Sequence, residues 1–132
     1  MSYGWVMLTT EQEKAEKAFK VNAEKAFKKI VAEFKEKYVQ EPHPEFGYCS
    51  DYSYKWFRDS LYLNQTYRYD SPESPIKEKV HKIARLDYYF EDGSCGLMYM
   101  RHTGKWEPLC GGEGVTLEAC VDILRNDEIF HG

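Results

Sequence analysis

VHKIARLDYYFEDGSCGLMYMRH, running from Val80 to His102, is the segment from which the architecture of this chain can be read. At its centre, Asp92-Gly93 is a preferred pair for a two-residue type I′ turn, whose central positions both need φ > 0. Before the turn, Val80, Lys82, Ala84, Leu86, Tyr88 and Phe90 share one face of a strand, because side chains alternate with a period of two. A two-residue loop pairs Phe90 with Cys95, Tyr88 with Leu97 and Leu86 with Tyr99, and sets all six on one sheet face. The opposite face then carries Arg85, Asp87, Tyr89, Met98, Met100 and His102. On it Arg85 stands opposite Met100, and Asp87 opposite Met98. The hairpin thus divides a core face from a candidate contact face.

Downstream, Thr103-Gly104 predicts a turn into a third strand over Lys105–Leu109. Gly111-Gly112-Glu113-Gly114 reads as a flexible loop. Thr116 can cap a closing helix whose Leu117, Cys120, Val121 and Leu124 form an apolar stripe. Upstream, Asp70-Ser71-Pro72-Glu73-Ser74-Pro75 is a loop by composition. The segment from Phe46 to Tyr69 fits two periods. Tyr54, Phe57 and Leu61 have helical spacing, while Leu61, Leu63 and Tyr67 suit a strand. The reading taken is a short helix over Tyr52–Tyr62, then a strand to Tyr69.

Near the start, Tyr3 to Leu8 reads as a short strand. Thr10 with Glu13 matches a capping box. From Glu11 to Val39 there is no Pro or Gly, and strong helix formers dominate. Ala15, Phe19, Ala23, Ala26, Ile30, Phe34 and Tyr38 recur at spacings of three and four, and Phe27 and Val31 widen the stripe. The hexapeptide Ala-Glu-Lys-Ala-Phe-Lys occurs at Ala15–Lys20 and again at Ala23–Lys28. That spacing of eight rotates the second copy by about 80° and broadens the apolar face without making a heptad seam. Such a helix spans about 43 Å. Either the sheet wraps along it, or one end projects and packs on a second copy of the chain. Glu41-Pro42-His43-Pro44 ends it, since proline lacks a donor and restrains its predecessor.

The expected fold is one α+β domain over residues 1–132, with a long N-terminal helix and a short C-terminal helix on a curved antiparallel meander. In general shape this resembles the cystatin-like arrangement of a helix cradled by a sheet, a likeness of layers and not of motif.

Composition narrows function. Aromatics make up 16% of the chain, with 11 Tyr, which argues against disorder although 30% of residues are charged. No apolar run approaches the roughly 20 residues needed to cross a bilayer. Met1-Ser2-Tyr3-Gly4-Trp5 lacks a basic start and apolar stretch, so the expected compartment is the cytoplasm. Cys49, Cys95, Cys110 and Cys120 are scattered and form no Cys-x-x-Cys pair, as in a reduced cytosolic chain. Asn64-Gln65-Thr66 matches a glycosylation acceptor, and without a secretion signal it is read as chance. Net charge is −4: residues 1–40 hold eight Lys against six Glu, and the rest is acidic. An acidic body weighs against nucleic-acid binding, which neutralises phosphates, and suits a partner with a basic patch.

No constellation for catalysis, cofactor or metal emerges. His43, His81, His102 and His131 lack ligand spacing, although His102 with Cys110 is conceivable across the third strand. Cys95 should point inward and be inert, whereas Cys49 and Cys110 fall in predicted loops and are the more reactive candidates. Gly111–Gly114 lacks the Lys and Ser/Thr of a P-loop. The lysines of the long helix interleave with glutamates, as on a solvated face. Tyr48, Tyr52, Tyr54, Trp56, Phe57, Tyr62, Tyr67 and Tyr69 crowd one segment, and several should be partly exposed near Arg58 and Arg68.

The expected function is a cytosolic interaction module of inhibitor, immunity or adaptor type that occludes a partner protein. Its contact residues would be Tyr52, Tyr54, Trp56, Arg58, Arg85, Met98, Met100 and His102, since Tyr, Trp and Arg favour hot spots and Met adapts to shape. Against this stands the somewhat heavier expectation that a second layer covers the hairpin's outer face. The alternative function is a small-molecule site, enzymatic or not, in an aromatic pocket at Tyr88, Leu97 and Tyr99.

Overall fold

The computed structural model describes residues 9–127. In chain order they form α1 (Thr10–Tyr38), β1 (Tyr48–Phe57), β2 (Ser60–Arg68), β3 (Glu78–Tyr89), β4 (Ser94–Met100), β5 (Trp106–Gly111) and α2 (Leu117–Asn126). The five strands make an antiparallel meander in the order β1-β2-β3-β4-β5. The fold is therefore α+β, with a long first helix and a short last one. The expected strand at Tyr3–Leu8 lies outside the described residues.

The β3–β4 hairpin forms with a different turn from the predicted one. Tyr89 pairs with Ser94, Tyr88 with Cys95 and Leu86 with Leu97, so Phe90 to Gly93 make a four-residue loop. A type I′ turn needs two residues with positive φ, and here only Gly93 has one, at 74°. Asp92 instead uses its carboxylate, accepting from the Ser94 backbone N–H at 2.9 Å and the Ser94 hydroxyl at 2.6 Å. The Gly93 N–H closes the loop onto the Tyr89 carbonyl at 2.9 Å. The partners shift by two residues, which leaves the paired side chains from Ala84 to Tyr89 on their predicted faces, whereas the bulge at Ile83 turns Val80 and Lys82, predicted on the core side, onto the other. Ala84, Leu86, Tyr88, Cys95 and Leu97 are all buried.

Residues 52–62 are not a helix. β1 and β2 form a hairpin turning at Arg58-Asp59, with Arg58 in the left-handed region at φ 56°. This register sets Trp56 opposite Leu61 and Tyr54 opposite Leu63. Tyr52, Tyr54 and Trp56 then share a face with two fully buried leucines. A helix would scatter those aromatics around its circumference, and the strand period wins because it puts them in one layer. The third strand of the meander's end, β5, lies one residue later than predicted at its start and two later at its end.

Both helices pack on this one face. Helix α1 is capped by Thr9, not Thr10: its hydroxyl accepts from the Gln12 N–H at 3.0 Å, and the Gln12 side chain accepts from the Thr9 N–H at 2.9 Å. It buries Phe19, Ala23, Phe27, Ile30, Val31 and Phe34, while Ala15 is exposed. The sheet runs along it from end to end. Gln12 Nε2 donates to the Phe90 carbonyl at 3.4 Å, and the Tyr38 ring meets Tyr52 at 6.5 Å. Wrapping by the sheet therefore accommodates the helix length. Helix α2, capped by Thr116 as predicted, adds Cys120 and Leu124 to the same core, and Arg125 Nε bonds Glu33 on α1 at 2.9 Å. Each wholly buried Leu, Ile or Phe in this layer contributes about 1.5–3 kcal/mol.

Candidate functional site

The predicted contact residues divide between the two faces of the sheet. Tyr52 is only 1% exposed, which removes it from any free surface. Its ring stands edge-on to Phe34 at 5.4 Å, and its hydroxyl accepts from Gln65 Nε2 at 3.0 Å. Burial pushes its phenol well above the ordinary tyrosine range. Tyr54 packs against the core. Trp56 Nε1 donates to Glu24 on α1 at 3.2 Å, with Lys20 Nζ 5.8 Å from its ring. Arg58 lies over Phe57 at 5.4 Å, and Arg68 is held by Asp70 and Glu78. The aromatic crowd of β1 thus seats the long helix. Of the expected exposed stacking, Arg58 on the exposed Phe57 ring is present, while Arg68 is held by carboxylates.

Arg85, Met98 and Met100 point the other way. Neither α1 nor α2 covers that side, because both bury their apolar residues in the core with Leu61, Leu63, Leu86 and Leu97. The expected second layer is absent among the described residues. One row crosses all five strands in register, Lys55, Tyr62, Arg85, Met98 and Pro108. Arg85 therefore opposes Met98 and Asp87 opposes Gly96, since the four-residue loop moves each partner by two. Arg85 is fully engaged. It bonds Asp87 at 2.9 Å, reaches the Met98 sulfur at 2.6 Å and stacks on Trp106 at 5.2 Å. Asp87 accepts in turn from the Ser60 hydroxyl at 2.6 Å. Trp106 leans on Tyr62 at 5.8 Å, and Lys82 lies 5.0 Å above the Tyr62 ring. Tyr89 extends over Gly96, where a Cβ would meet its hydroxyl at 2.6 Å, so any larger residue there would have to displace the Tyr89 ring end.

Beyond this ladder the sheet splits. β4 pairs with β3 only as far as Ala84–Tyr99 and then turns at Arg101–Gly104, with Arg101 N–H to Lys105 carbonyl and Gly104 N–H to Arg101 carbonyl both at 2.9 Å. β3 continues to Glu78 with a ladder to β2 alone, interrupted by a bulge at Ile83. The gap is an open groove of about 730 Å³. Lys79, His81, Lys82, Arg101 and His102 line it with no carboxylate among the lining residues, and Val80, Ile83 and Met100 supply apolar surface. Arg101 also meets Glu107 at 3.0 Å. A basic groove therefore sits on an acidic chain. Of the predicted contact set, only Met100 and His102 reach it. Lys79, Lys82 and Arg101 were not singled out, yet one signal was present: the alternating pattern of β3 extends well past the length its partner can match before Thr103-Gly104.

The predicted pocket at Tyr88, Leu97 and Tyr99 does not form as one cavity. Leu97 is 0% exposed, and the Tyr99 hydroxyl donates to Glu107 at 3.0 Å. Tyr88 lines a separate depression of about 410 Å³ with Phe19, Asn22 and Asp92, between α1 and the start of α2. Among the described residues its buried hydroxyl has no hydrogen-bond partner. His102 and Cys110 do not converge. His102 lines the groove, whereas Cys110 packs beside Cys120. Cys49 is buried within β1, not in a loop, because β1 begins at Tyr48. Asn64 is buried in β2. Among the described residues no group of His, Cys, Asp and Glu is arranged to hold a metal ion, and no helix is long and apolar enough to cross a membrane.

The family described as Domain of unknown function (DUF3024) matches residues 17–132. No curated protein and no solved structure matches the chain.

Proposed function

The chain belongs to the DUF3024 family, and we propose that this fold is a protein-interaction module that binds and occludes an extended, acidic segment of a partner. The split between β3 and β4 carries this reading. Over Glu78–Ile83, β3 is paired on one side only, so its other edge offers backbone groups to an added strand. The side chains beside that edge are cationic, and the groove has room for a peptide. The chain's overall charge of −4 suggests a basic partner, but the local charge at the open edge is the one a docked segment meets. Met100 joins the groove to the Tyr62–Trp106–Arg85 ladder, which gives the complex a polarisable flank. Four free thiols suit a reducing compartment, the cytoplasm being the natural one.

The test uses a fluorescent peptide of alternating Glu and Val and the same peptide with a central Pro. Binding is read by anisotropy across a salt series. The alternating peptide should bind and weaken with salt, and the Pro peptide should bind poorly because it cannot donate to the β3 edge. The Lys79→Glu/Lys82→Glu variant should bind at least tenfold less tightly. Equal binding of both peptides, or no change in that variant, refutes the edge reading.

A further inference from the structure

Three of the four cysteines meet at one point. Cys120 Sγ on α2 lies 3.5 Å from Cys110 Sγ on β5 and 3.6 Å from Cys95 Sγ on β4. These residues are scattered in the chain, and only the packing of α2 across the β4–β5 edge assembles them. Cys95 and Cys120 are each 1% exposed, whereas Cys110 is half-buried on β5, an outermost strand of the sheet. Cys49 sits on β1 at the opposite edge, buried, with its sulfur facing the Asp51 carbonyl. Cys110 is therefore the one residue of the cluster with appreciable exposure, and its nearest sulfur belongs to a buried residue. That is the layout of an attacking and a resolving pair.

We propose that Cys110 and Cys120 form a reversible two-electron redox couple, oxidised by hydroperoxides to an intramolecular disulfide that pins α2 to β5. The Cys110 thiolate attacks one peroxide oxygen. An S–O bond forms, the O–O bond breaks and hydroxide leaves, so Cys110 becomes a sulfenic acid. The Cys120 sulfur then attacks the Cys110 sulfur. The S–S bond forms, the S–O bond breaks, and the departing hydroxide takes the Cys120 proton as water. Two thiols and one hydrogen peroxide give one disulfide and two waters. The sulfurs need to close from 3.5 Å to the roughly 2.05 Å of a disulfide, within reach of a rotation about the Cα–Cβ bonds. The loop that becomes closed is Gly111–Val115 and the first turn of α2, which the reduced chain holds by packing, the Thr116 cap, the Val115 N–H to Gly112 carbonyl bond at 3.1 Å and the contact of the Cys95 sulfur with the Val115 carbonyl.

The experiment exposes the whole chain to hydrogen peroxide, removes the peroxide, unfolds the chain in urea with N-ethylmaleimide to block all free thiols, and maps peptides by mass spectrometry without reduction. The expected product is a Cys110–Cys120 linked peptide lacking two hydrogens, with Cys49 alkylated and the link lost on adding dithiothreitol. Urea unfolding of the oxidised chain should shift to higher concentration and return on reduction. Cys49→Ser should leave the link intact, and Cys110→Ser should abolish it. A Cys95–Cys120 link in the unaltered chain, an intermolecular link through Cys49, or sulfinic acid at Cys110 with no link each overturns the proposal. The unaltered chain decides among these without relying on any variant's folding.

Discussion

Replacing Tyr88 by Phe should make this protein more stable. The Tyr88 ring is 8% exposed and lies 4.6 Å from the ring of Phe19, so the substitution keeps nearly all its apolar contact. What it removes is a buried hydroxyl with no hydrogen-bond partner among the described residues. Leaving such a group unmade costs about 1–3 kcal/mol. The depression beside Tyr88 is open on one side, so the lower end applies and the gain is about 1 kcal/mol. With a urea slope of about 2 kcal/mol/M, the unfolding midpoint should rise by about 0.5 M with no change in slope. The same substitution at Tyr52 is the internal control. There the hydroxyl accepts from Gln65 Nε2 at 3.0 Å, and its loss should cost about 0.5–1.5 kcal/mol, which at the same slope lowers the midpoint by about 0.25–0.75 M. Equilibrium unfolding followed by fluorescence and by far-UV circular dichroism measures both. If Tyr88→Phe destabilises as Tyr52→Phe does, the Tyr88 hydroxyl is bonded in solution and the reasoning fails.

Burial pushes the phenols of Tyr52 and Tyr88 above their ordinary range. A raised folded-state pKa means the folded chain keeps its proton longer than the unfolded one, so the stabilisation is complete below pH ~10 and is lost as pH rises beyond it. Urea midpoints measured upward from pH 8 should hold level and then fall above pH ~10; a rise there would contradict the burial of these rings. At the helix start, Thr9→Ala should cost about 1 kcal/mol, while Thr10→Ala should change stability by only a few tenths, because Thr9 is the residue that caps Gln12. Paired thermal melts separate the two, and the reverse order would restore the Thr10 cap. Leu86, 0% exposed and in register between Leu61 and Leu97, should lose about 2–5 kcal/mol on truncation to Ala. A loss below 1 kcal/mol in urea unfolding would mean that the centre of the sheet is not the core.

The faces of the sheet were legible in the residues because a strand's period is two. Ala84, Leu86, Tyr88, Cys95 and Leu97 fell on the buried face even though their partners were misassigned, since a shift of two residues preserves parity. The long helix was legible for a similar local reason, an unbroken run of helix formers with an apolar stripe. Its cap was one residue off because Thr9 and Thr10 both have an N3 partner with a side-chain acceptor, Gln12 and Glu13, and the choice lies in the entry of the preceding chain.

The β1–β2 hairpin was not legible because Tyr54, Phe57 and Leu61 satisfy a helical spacing while Tyr52, Tyr54 and Trp56 satisfy a strand, and only packing against α1 discriminates. The loop length turned on a single dihedral choice, Asp92 spending its carboxylate on Ser94 instead of adopting positive φ. Which face stayed open, and where the basic groove opened, followed from both helices choosing the same side and from β3 outrunning β4. The meeting of Cys95, Cys110 and Cys120 needed three elements to cross. Local periodicity determines elements and faces, because those depend on neighbours in the chain. Registers, coverings and convergent side chains depend on contacts between residues far apart in sequence, and those exist only once the chain has packed.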